Sequence, residues 1–283
     1  MTIQTSNKLN SLIQQLPEGL LVDAAWLEAK GYSRALRHQY VKAHWLEQPA
    51  RGVFRRSRDQ LRWEQVIISL QTLLKFPISV GGRTALELGG YAHYLQQAQQ
   101  QIHLYSDNKC PAWLLNLPLA ETLVIHKRDL LLPISETQLD SHPNTDSTSL
   151  AQMLASVGLT AQPHTHWQLP MVLSTPERAY LELLNELPLH ESFHMADMIM
   201  EGLTNLSPTR LQFLLETTNS IKVKRLFFLF AERHQHAWFK RLDASKIDLG
   251  KGKRMLVKGG KFHSKYQITV PKEFAAESVN GTY

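Results

Sequence analysis

The sequence predicts an α+β protein in which an N-terminal winged helix-turn-helix is followed by a larger mixed α/β domain. Residues 20–58 contain two short helical patterns and then a charged extended segment. Beyond them, apolar runs with helical spacing alternate with short strand-like runs. The length of 283 residues suits about two domains. We therefore predict a DNA-binding domain over residues 1–62 and an α/β domain over residues 63–283.

The helix-turn-helix is predicted from the signals around Gly31 and Ser33. Residues 24–29 form a short apolar pattern, and Gly31 follows it as glycine commonly follows a helix terminus. Ser33 stands where the next helix needs an N-cap, because its hydroxyl can accept a hydrogen bond from an unpaired backbone N–H. The pattern then stays helical to about Glu47, with Leu36 and Tyr40 on its apolar side.

The other side of this second helix is basic, which suits insertion into a major groove. Arginine can form two hydrogen bonds with guanine, while lysine binds phosphate. After the helix, residues 49–52 break the pattern and residues 53–56 resemble a charged wing. The predicted DNA-binding residues are Ser33, Arg34, Arg37, His38, Lys42, Arg51, Arg55 and Arg56. The same residues are also compatible with a small helical hairpin that has a solvated charged face.

Basic residues are concentrated at the two ends of the chain. Residues 1–62 contain ten Lys and Arg against five Asp and Glu, and residues 220–283 contain fourteen against five. Residues 161–219 contain only two against seven. Basic segments favour phosphate-bearing partners, because neutralising phosphates releases condensed counterions. The two ends, and not the middle, are therefore the candidate regions for such partners.

Composition is that of an ordinary globular protein. The chain is 43% hydrophobic and 20% charged, which argues against disorder. The first sixteen residues lack the basic start and apolar run of a signal peptide, and no segment approaches the ~20 apolar residues of a membrane helix. Cys110 is the only cysteine, which excludes an internal disulfide and a multi-cysteine zinc site. We expect a cytoplasmic protein without a membrane partner.

Periodicity and turn residues predict the remaining elements. Pro176 and Pro208 each stand at the first position of a predicted helix, where proline is favoured. Thr84 is predicted to cap a helix that Gly89 and Gly90 close. The predicted helices are 7–16, 63–76, 85–88, two that begin at 176 and 208, and 221–233, for which a strand is also possible. The predicted strands are 78–80, 101–105, 121–126, 167–173 and 266–270, and residues 140–149 form the clearest loop.

Several short motifs suggest chemistry, but none makes a convincing site. Residues 190–194 match the metalloprotease pattern His-Glu-x-x-His, which needs both histidines in mid-helix. Pro188 places them at a helix entry instead, and Ser192 suits a cap, so we predict no zinc site there. Residues 81–83, Gly-Gly-Arg, fit either an anion cradle or a tight turn. The pairs His164/His166 and His234/His236 lack partner clusters, and residues 250–254 lack the Walker spacing. We predict no catalytic residue and no cofactor.

An ordered set of segments along nearly the whole chain resembles the AbiE-type (AbiEi) antitoxins of bacterial type IV toxin–antitoxin systems. Each segment alone is weak, but the order is specific. The matching segments are Tyr32–Arg34, Trp45–Glu47, Arg51–Arg56, Val80–Gly89, Tyr91–Tyr94, Ser174–Ala179, Val223–Leu226, Ala231–Arg233, Leu249–Arg254, Lys258–Gly260 and Tyr266–Pro271.

The resemblance implies a repressor that binds inverted repeats in its own operator cooperatively, with a dimer on DNA as one expectation. It also implies that the protein counters a nucleotidyltransferase-like toxin in phage defence, as a functional partner and without a stable complex. Two other functions remain open from the residues. One is a transcription regulator whose larger domain senses a ligand or dimerises. The other is an enzyme that acts on nucleic acid or a nucleotide.

The basic C-terminal segment is the candidate for antitoxicity. Lysine is rarely buried without a partner, so we expect these side chains at the surface. We hypothesise that they engage the RNA or nucleotide target of the toxin, and the alternative is a role in solubility alone. The segment comprises Lys222, Lys224, Arg225, Lys251, Lys253, Arg254, Lys258 and Lys261.

Overall fold

The computed structural model describes residues 3–91, 101–127, 130, 147–163 and 169–275. Its first part is a winged helix-turn-helix with a three-stranded antiparallel sheet of order β1-β3-β2. The elements of this part are α1 Ile3–Gln15, β1 Leu21–Asp23, α2 Ala24–Ala29, α3 Arg34–Lys42, β2 Glu47–Ala50 and β3 Val53–Arg55. The predicted winged helix is therefore present.

Local caps explain where the two helices of the motif begin. The Asp23 carboxylate accepts a hydrogen bond from the Trp26 N–H at 2.8 Å, and the Ser33 hydroxyl accepts one from the Leu36 N–H at 3.3 Å. The predicted cap at Ser33 is thus confirmed. Helix α3 ends at Lys42, earlier than predicted, because His44 adopts a positive φ of 61° and Trp45 N–H returns to the Tyr40 carbonyl.

The second part surrounds a five-stranded sheet of order β6-β5-β4-β8-β7. Strand β4 is antiparallel to β5 and parallel to β8, while β5 and β6 are parallel and β7 and β8 antiparallel. The elements up to β8 are α4 Trp63–Thr72, β4 Ile78–Val80, α5 Gly82–Leu88, β5 Gln101–Ser106, β6 Thr122–Lys127, α6 Ser147–Ser156, β7 Leu159–Pro163 and β8 Pro170–Ser174. With the helices that follow, the fold class is α+β, as predicted.

Four helices and a small sheet follow within the described residues up to 275. They are α7 Pro176–Glu186, α8 Phe193–Gly202, α9 Pro208–Thr217, α10 Ile221–His234, β9 Arg254–Met255, β10 Lys261–His263 and β11 Ile268–Val270. The small sheet has the order β10-β11-β9. Short 3-10 turns occur at Leu114–Asn116, Phe239–Arg241, Ala244–Lys246 and Lys272–Phe274. Helix α10 is almost wholly buried, so its ambiguous start is resolved in favour of a helix.

Several predicted boundaries differ from those observed. Helix α5 begins at Gly82, and Thr84 lies inside it, where its hydroxyl accepts the His103 N–H at 2.9 Å instead of capping the helix. Helix α4 ends at Thr72, and strand β11 begins at Ile268. Most of the predicted loop 140–149 and both His164 and His166 lie outside the described residues.

Helix α4 contacts the sheet of the winged helix and the five-stranded sheet through buried polar side chains. The Ser69 hydroxyl accepts the Leu21 N–H of β1 at 2.9 Å. The Gln71 amide donates to the Ile78 and Val172 carbonyls and accepts the Val172 N–H, each at 2.9 Å. The predicted domain boundary between residues 62 and 63 therefore falls at the start of a helix that the two parts share.

Candidate nucleic-acid interface

The outer side of α3 is an exposed basic surface. Arg34, His38 and Lys42 are spaced four residues apart, and all three are exposed. Gln39 is exposed beside them. Its amide suits adenine, and Gln39 was not predicted from the sequence because only the basic residues were taken from this side of the helix. The opposite side of α3 is buried at Tyr40, which fixes the direction of the exposed side. This surface has the composition and shape that suit a major groove.

Arg37 does not belong to this surface, and its predicted place on the basic front is wrong. Only 7% of the residue is exposed. Its guanidinium donates to the carbonyls of Ala24 and Tyr32, both at 3.0 Å, and lies 3.7 Å from the Glu28 carboxylate. The two carbonyls belong to the start of α2 and to the turn before α3. Arg37 therefore holds the two helices of the motif together.

The wing offers one exposed cation at its tip. Arg51 is exposed, and Gly52 after it has a φ of 80°, which glycine adopts without strain. The Ala24 N–H donates to the Gly52 carbonyl at 2.8 Å and ties the tip to the start of α2. Arg51 is therefore held near the helix-turn-helix by a fixed turn.

The other two wing arginines support the fold: Arg55 is buried, contrary to prediction, and Arg56 is half-buried. Arg55 is 2% exposed, and its Nε lies 2.6 Å from the Glu47 carboxylate. Arg56 donates to the carbonyls of Ile13 and Leu16 at 2.8 and 2.7 Å, so it caps the end of α1. Of the predicted DNA-binding residues, those left exposed are Ser33, Arg34, His38, Lys42 and Arg51.

Two sequence profiles of one family match the chain almost end to end. Residues 5–97 match the transcriptional regulator, AbiEi antitoxin N-terminal domain. Residues 99–271 match the transcriptional regulator, AbiEi antitoxin, type IV TA system. The chain belongs to the AbiEi antitoxins. This is a family of regulators, and the predicted resemblance is confirmed.

A solved structure supports the fold of the antitoxin. The crystal structure of the RV2827C protein from Mycobacterium tuberculosis aligns with a TM-score of 0.52 and 14% sequence identity, over 95% of this chain and 91% of that chain. At this identity the similarity concerns the fold alone. No curated protein matches the antitoxin. None of the helices in the described residues is long and apolar enough to cross a membrane.

The C-terminal basic segment divides into buried and exposed residues. Lys224 is 5% exposed, and Lys222 donates to the Asn185 and Leu187 carbonyls at 2.5 and 2.9 Å. Burial lowers the pKa of Lys222, although Glu186 opposes the shift. Lys224 is therefore buried, contrary to prediction. The half-buried Lys222 is held by backbone carbonyls. The exposed members are Lys251, Lys253, Arg254, Lys258 and Lys261.

Arg225 is also buried, contrary to prediction, and it fixes the loop between α10 and β9. Only 2% of it is exposed. Its guanidinium donates to the carbonyls of Leu249, Gly250, Gly252 and Gln267 at 2.7, 3.1, 2.8 and 3.2 Å. One side chain thus determines the path of a loop from which Lys251 projects.

The glycine turn after β4 binds an anion that belongs to the protein itself. The Glu182 carboxylate accepts the Gly82 N–H at 3.0 Å and the Ser174 hydroxyl at 2.8 Å. Arg178 donates to its other oxygen at 2.8 Å. A Cβ at Gly81 would lie 2.3 Å from the Glu182 carboxylate and 2.6 Å from the Tyr105 ring. Both sequence interpretations, an anion cradle and a tight turn, are therefore satisfied by one internal contact.

Beside this turn, a chain of buried titratable groups crosses β5 and β6. His103 Nδ1 and His126 Nε2 are 3.0 Å apart, and the His126 Nδ1 lies 3.2 Å from Glu186. At the other end, His103 Nε2 faces Glu191 Oε1 at 3.6 Å. If the His126 Nδ1–H donates to Glu186 and the His103 Nδ1–H donates to the His126 Nε2, then the His103 Nε2 carries no proton and can only accept a hydrogen bond. A proton on Glu191 would then face it.

The pKa directions agree with this arrangement. Burial, with repulsion from His126, lowers the pKa of His103 to about 4, and burial raises the pKa of Glu191 against the effect of Arg83. Burial alone would raise the pKa of Glu186, but the hydrogen bond and charge of His126 lower it overall. The group is thus built to keep His103 neutral.

Acid should destabilise the protein through His103. In the unfolded chain the His103 imidazole has the ordinary pKa of 6.5, so it becomes protonated as the pH falls below that value. In the folded protein it becomes protonated only near pH 4. Stability therefore falls between these values, by roughly 3 kcal/mol at most. The raised pKa of Glu191 acts in the opposite direction, because its protonation favours the folded state. Denaturant unfolding at a series of pH values should show a smaller loss for His103→Asn than for wild type, and an equal loss would contradict this account.

The His-Glu-x-x-His pattern is divided between interior and surface. Glu191 is buried against Arg83, whereas His190 and His194 are exposed. The Ser192 hydroxyl accepts the Met195 N–H at 3.1 Å and caps α8, as predicted. His234 and His236 lie beside α8, where His234 pairs with Asp197 at 2.8 Å. Across the described residues, no group of three or more His, Cys, Asp or Glu side chains is arranged to hold a metal ion.

Proposed function

We propose that this antitoxin represses its own operon by binding inverted repeats in the operator, and that it counteracts a nucleotidyltransferase-like toxin without forming a stable complex with it. The observation that supports the first half is the exposed side of α3, with Arg34, His38 and Lys42 in line. The wing tip with Arg51 lies on the same motif. We propose no catalytic residue and no cofactor.

The roles of these residues follow from their chemistry. Arg34 stands at the first turn of α3, the position from which a recognition helix commonly contacts base edges. Its guanidinium can form two hydrogen bonds with guanine. Lys42, in the last turn, and Arg51, on the wing, suit phosphates on either side of the groove. Two copies on an inverted repeat would place two such helices in successive major grooves.

Replacing Arg34 with alanine should weaken operator binding, and replacing Arg37 should act differently. We expect Arg34→Ala to cost ~1–3 kcal/mol on a duplex from the promoter of the antitoxin's own operon, and much less on an unrelated duplex. Lys42→Ala should weaken both about equally and reduce the salt slope by ~1. Arg37→Ala should lower the melting temperature, since it removes buried hydrogen bonds. Fluorescence anisotropy and thermal melts measure these effects.

Lys240→Ala is the matched control, because Lys240 is an exposed lysine outside the winged helix. It should leave the preference for the promoter unchanged. Wild-type affinity and specificity in the Arg34→Ala/His38→Ala double variant would contradict α3 as the recognition helix.

We propose further that the antitoxic activity involves the exposed part of the C-terminal basic segment. Lys251, Lys253, Arg254, Lys258 and Lys261 remain in this proposal. The proposal does not include Lys222 and Arg225, because both donate their hydrogen bonds to backbone carbonyls. It does not include Lys224 either, because Lys224 is buried.

A further inference from the structure

The small C-terminal sheet presents two large apolar side chains to the solvent, one on each side of a central threonine. The strand register aligns Phe262 of β10, Thr269 of β11 and Met255 of β9 across the sheet. Ile268 and Val270, which alternate with Thr269 along β11, are completely buried. The row therefore lies on the outer face, where 39% of Phe262 and 73% of Met255 are exposed. An aromatic ring so exposed on a sheet is available for stacking.

This outer face is surrounded by an excess of positive charge, with Asp248 as the carboxylate next to it in the sequence. Residues 249–272 contain seven Lys and Arg and no Asp or Glu. One of the seven, Lys265, pairs with Glu232. The five exposed cations at 251, 253, 254, 258 and 261 form no ion pair with any described carboxylate. The Lys253 Nζ lies over the Phe262 ring, 5.2 Å from its centroid, so a base that stacks on this face of the ring displaces the ammonium, which then adjoins the phosphate of that base.

The backbone beneath these cations is held rigidly. Gly250 and Gly252 both have positive φ, and Arg225 binds the carbonyl of each. The intervening Lys251 is exposed. A rigid backbone loses little conformational entropy when the side chains that it presents bind a ligand.

We propose that the outer face of the β10-β11-β9 sheet binds single-stranded nucleic acid. An unpaired base stacks on Phe262, and Lys251, Lys253 and Lys258 bind the adjoining phosphates, a combination of ring and cations that tracks single strands. A duplex hides its base faces, and its major groove admits a helix or a two-stranded ribbon, not the flat face of a three-stranded sheet. The inference rests on the proposed antitoxic role of this segment and names its ligand.

The test measures binding of labelled oligo(U) and oligo(dT) of about 12 nucleotides, and of a duplex of equal length, by fluorescence anisotropy. The full chain carries Arg34→Ala and Lys42→Ala throughout, so that the winged helix contributes little. Phe262→Leu should weaken binding of the single strands about 10-fold and leave the duplex nearly unchanged. Lys251→Gln/Lys253→Gln should weaken it further and reduce the salt slope by about 0.7 for each lost phosphate contact. Lys240→Gln/Arg241→Gln, with the same loss of charge, is the control.

The outcomes separate the ligand from the antitoxic role. Tighter binding of oligo(U) than of oligo(dT) identifies RNA, and the reverse order identifies DNA, and either order supports the proposal. Equal affinities of Phe262→Leu and its parent for the single strands, or tighter binding of the duplex, would overturn it. Rescue of toxin-poisoned cells is measured separately with Lys251→Glu/Lys253→Glu/Arg254→Glu at equal protein level. Undiminished rescue with lost oligonucleotide binding would refute only the antitoxic role of the segment.

Discussion

Glu182→Ala should cost about 3–5 kcal/mol of folding stability, because it removes the carboxylate that forms a buried ion pair with Arg178. Arg178 has no exposed surface, and its Nε donates to Glu182 at 2.8 Å. The substitution also leaves the Gly82 N–H and the Ser174 hydroxyl without their acceptor. Urea or guanidinium unfolding, followed by circular dichroism, gives the free energy of unfolding directly.

Two variants make the interpretation of Glu182→Ala specific. Glu182→Gln keeps an acceptor and the side-chain volume but loses the charge, so we expect an intermediate cost. Glu216→Ala removes an exposed carboxylate from α9 and should cost little. If Glu182→Ala were as stable as Glu216→Ala, the carboxylate would not be the anchor of the glycine turn.

Arg225→Ala should destabilise the fold by about 3 kcal/mol or more and should loosen the loop between α10 and β9. The carbonyls of Leu249, Gly250 and Gly252 would lose their donor at once, and each carbonyl left unsatisfied costs ~1–3 kcal/mol before water replaces the contact. The Gln267 carbonyl keeps the Arg254 N–H at 2.9 Å. Thermal unfolding measures the first effect. Limited trypsin digestion measures the second, because Lys251 and Lys253 are cleavage sites within or beside the loop.

Arg225→Lys provides the comparison for this loop. Lysine keeps the charge, but its single nitrogen cannot reach all the carbonyls to which the three nitrogens of the Arg225 guanidinium donate. We expect a loss of stability between those of wild type and alanine, with faster cleavage at Lys251 than in wild type. Unchanged cleavage in both variants would mean that the loop is fixed by its glycines alone.

The architecture was predictable because caps and turns are local. Ser33, Pro176 and Ser192 define the starts of helices from nearby residues. Helix α6 and the strands β1, β2 and β7 were not predicted. The burial of charged side chains was not predictable, because their partners are distant backbone carbonyls. Arg37 lies within a basic run of α3, yet the Ala24 carbonyl thirteen residues earlier determines its direction. Spacing along one helix contains no information about such a partner.

The glycine turn shows the same limit more clearly. Gly81 and Gly82 indicate that something approaches the backbone closely, but the approaching group is Glu182, a hundred residues later in the chain. The exposed surface of α3 was predicted for Arg34, His38 and Lys42 because helical spacing alone places them together. Gln39 was not predicted because it carries no charge, although helical spacing places it beside His38 on the exposed side of α3.

Helix α4 has a consequence for how the molecule unfolds. Ser69 bonds to the sheet of the winged helix, while Gln71, two residues later, bonds to both β4 and β8 of the central sheet. Melting α4 would remove buried partners from both sheets together, so neither should survive alone for long. We therefore expect heat to produce one cooperative transition of the whole chain. Helix α3 would then unfold at the same temperature as the five-stranded sheet.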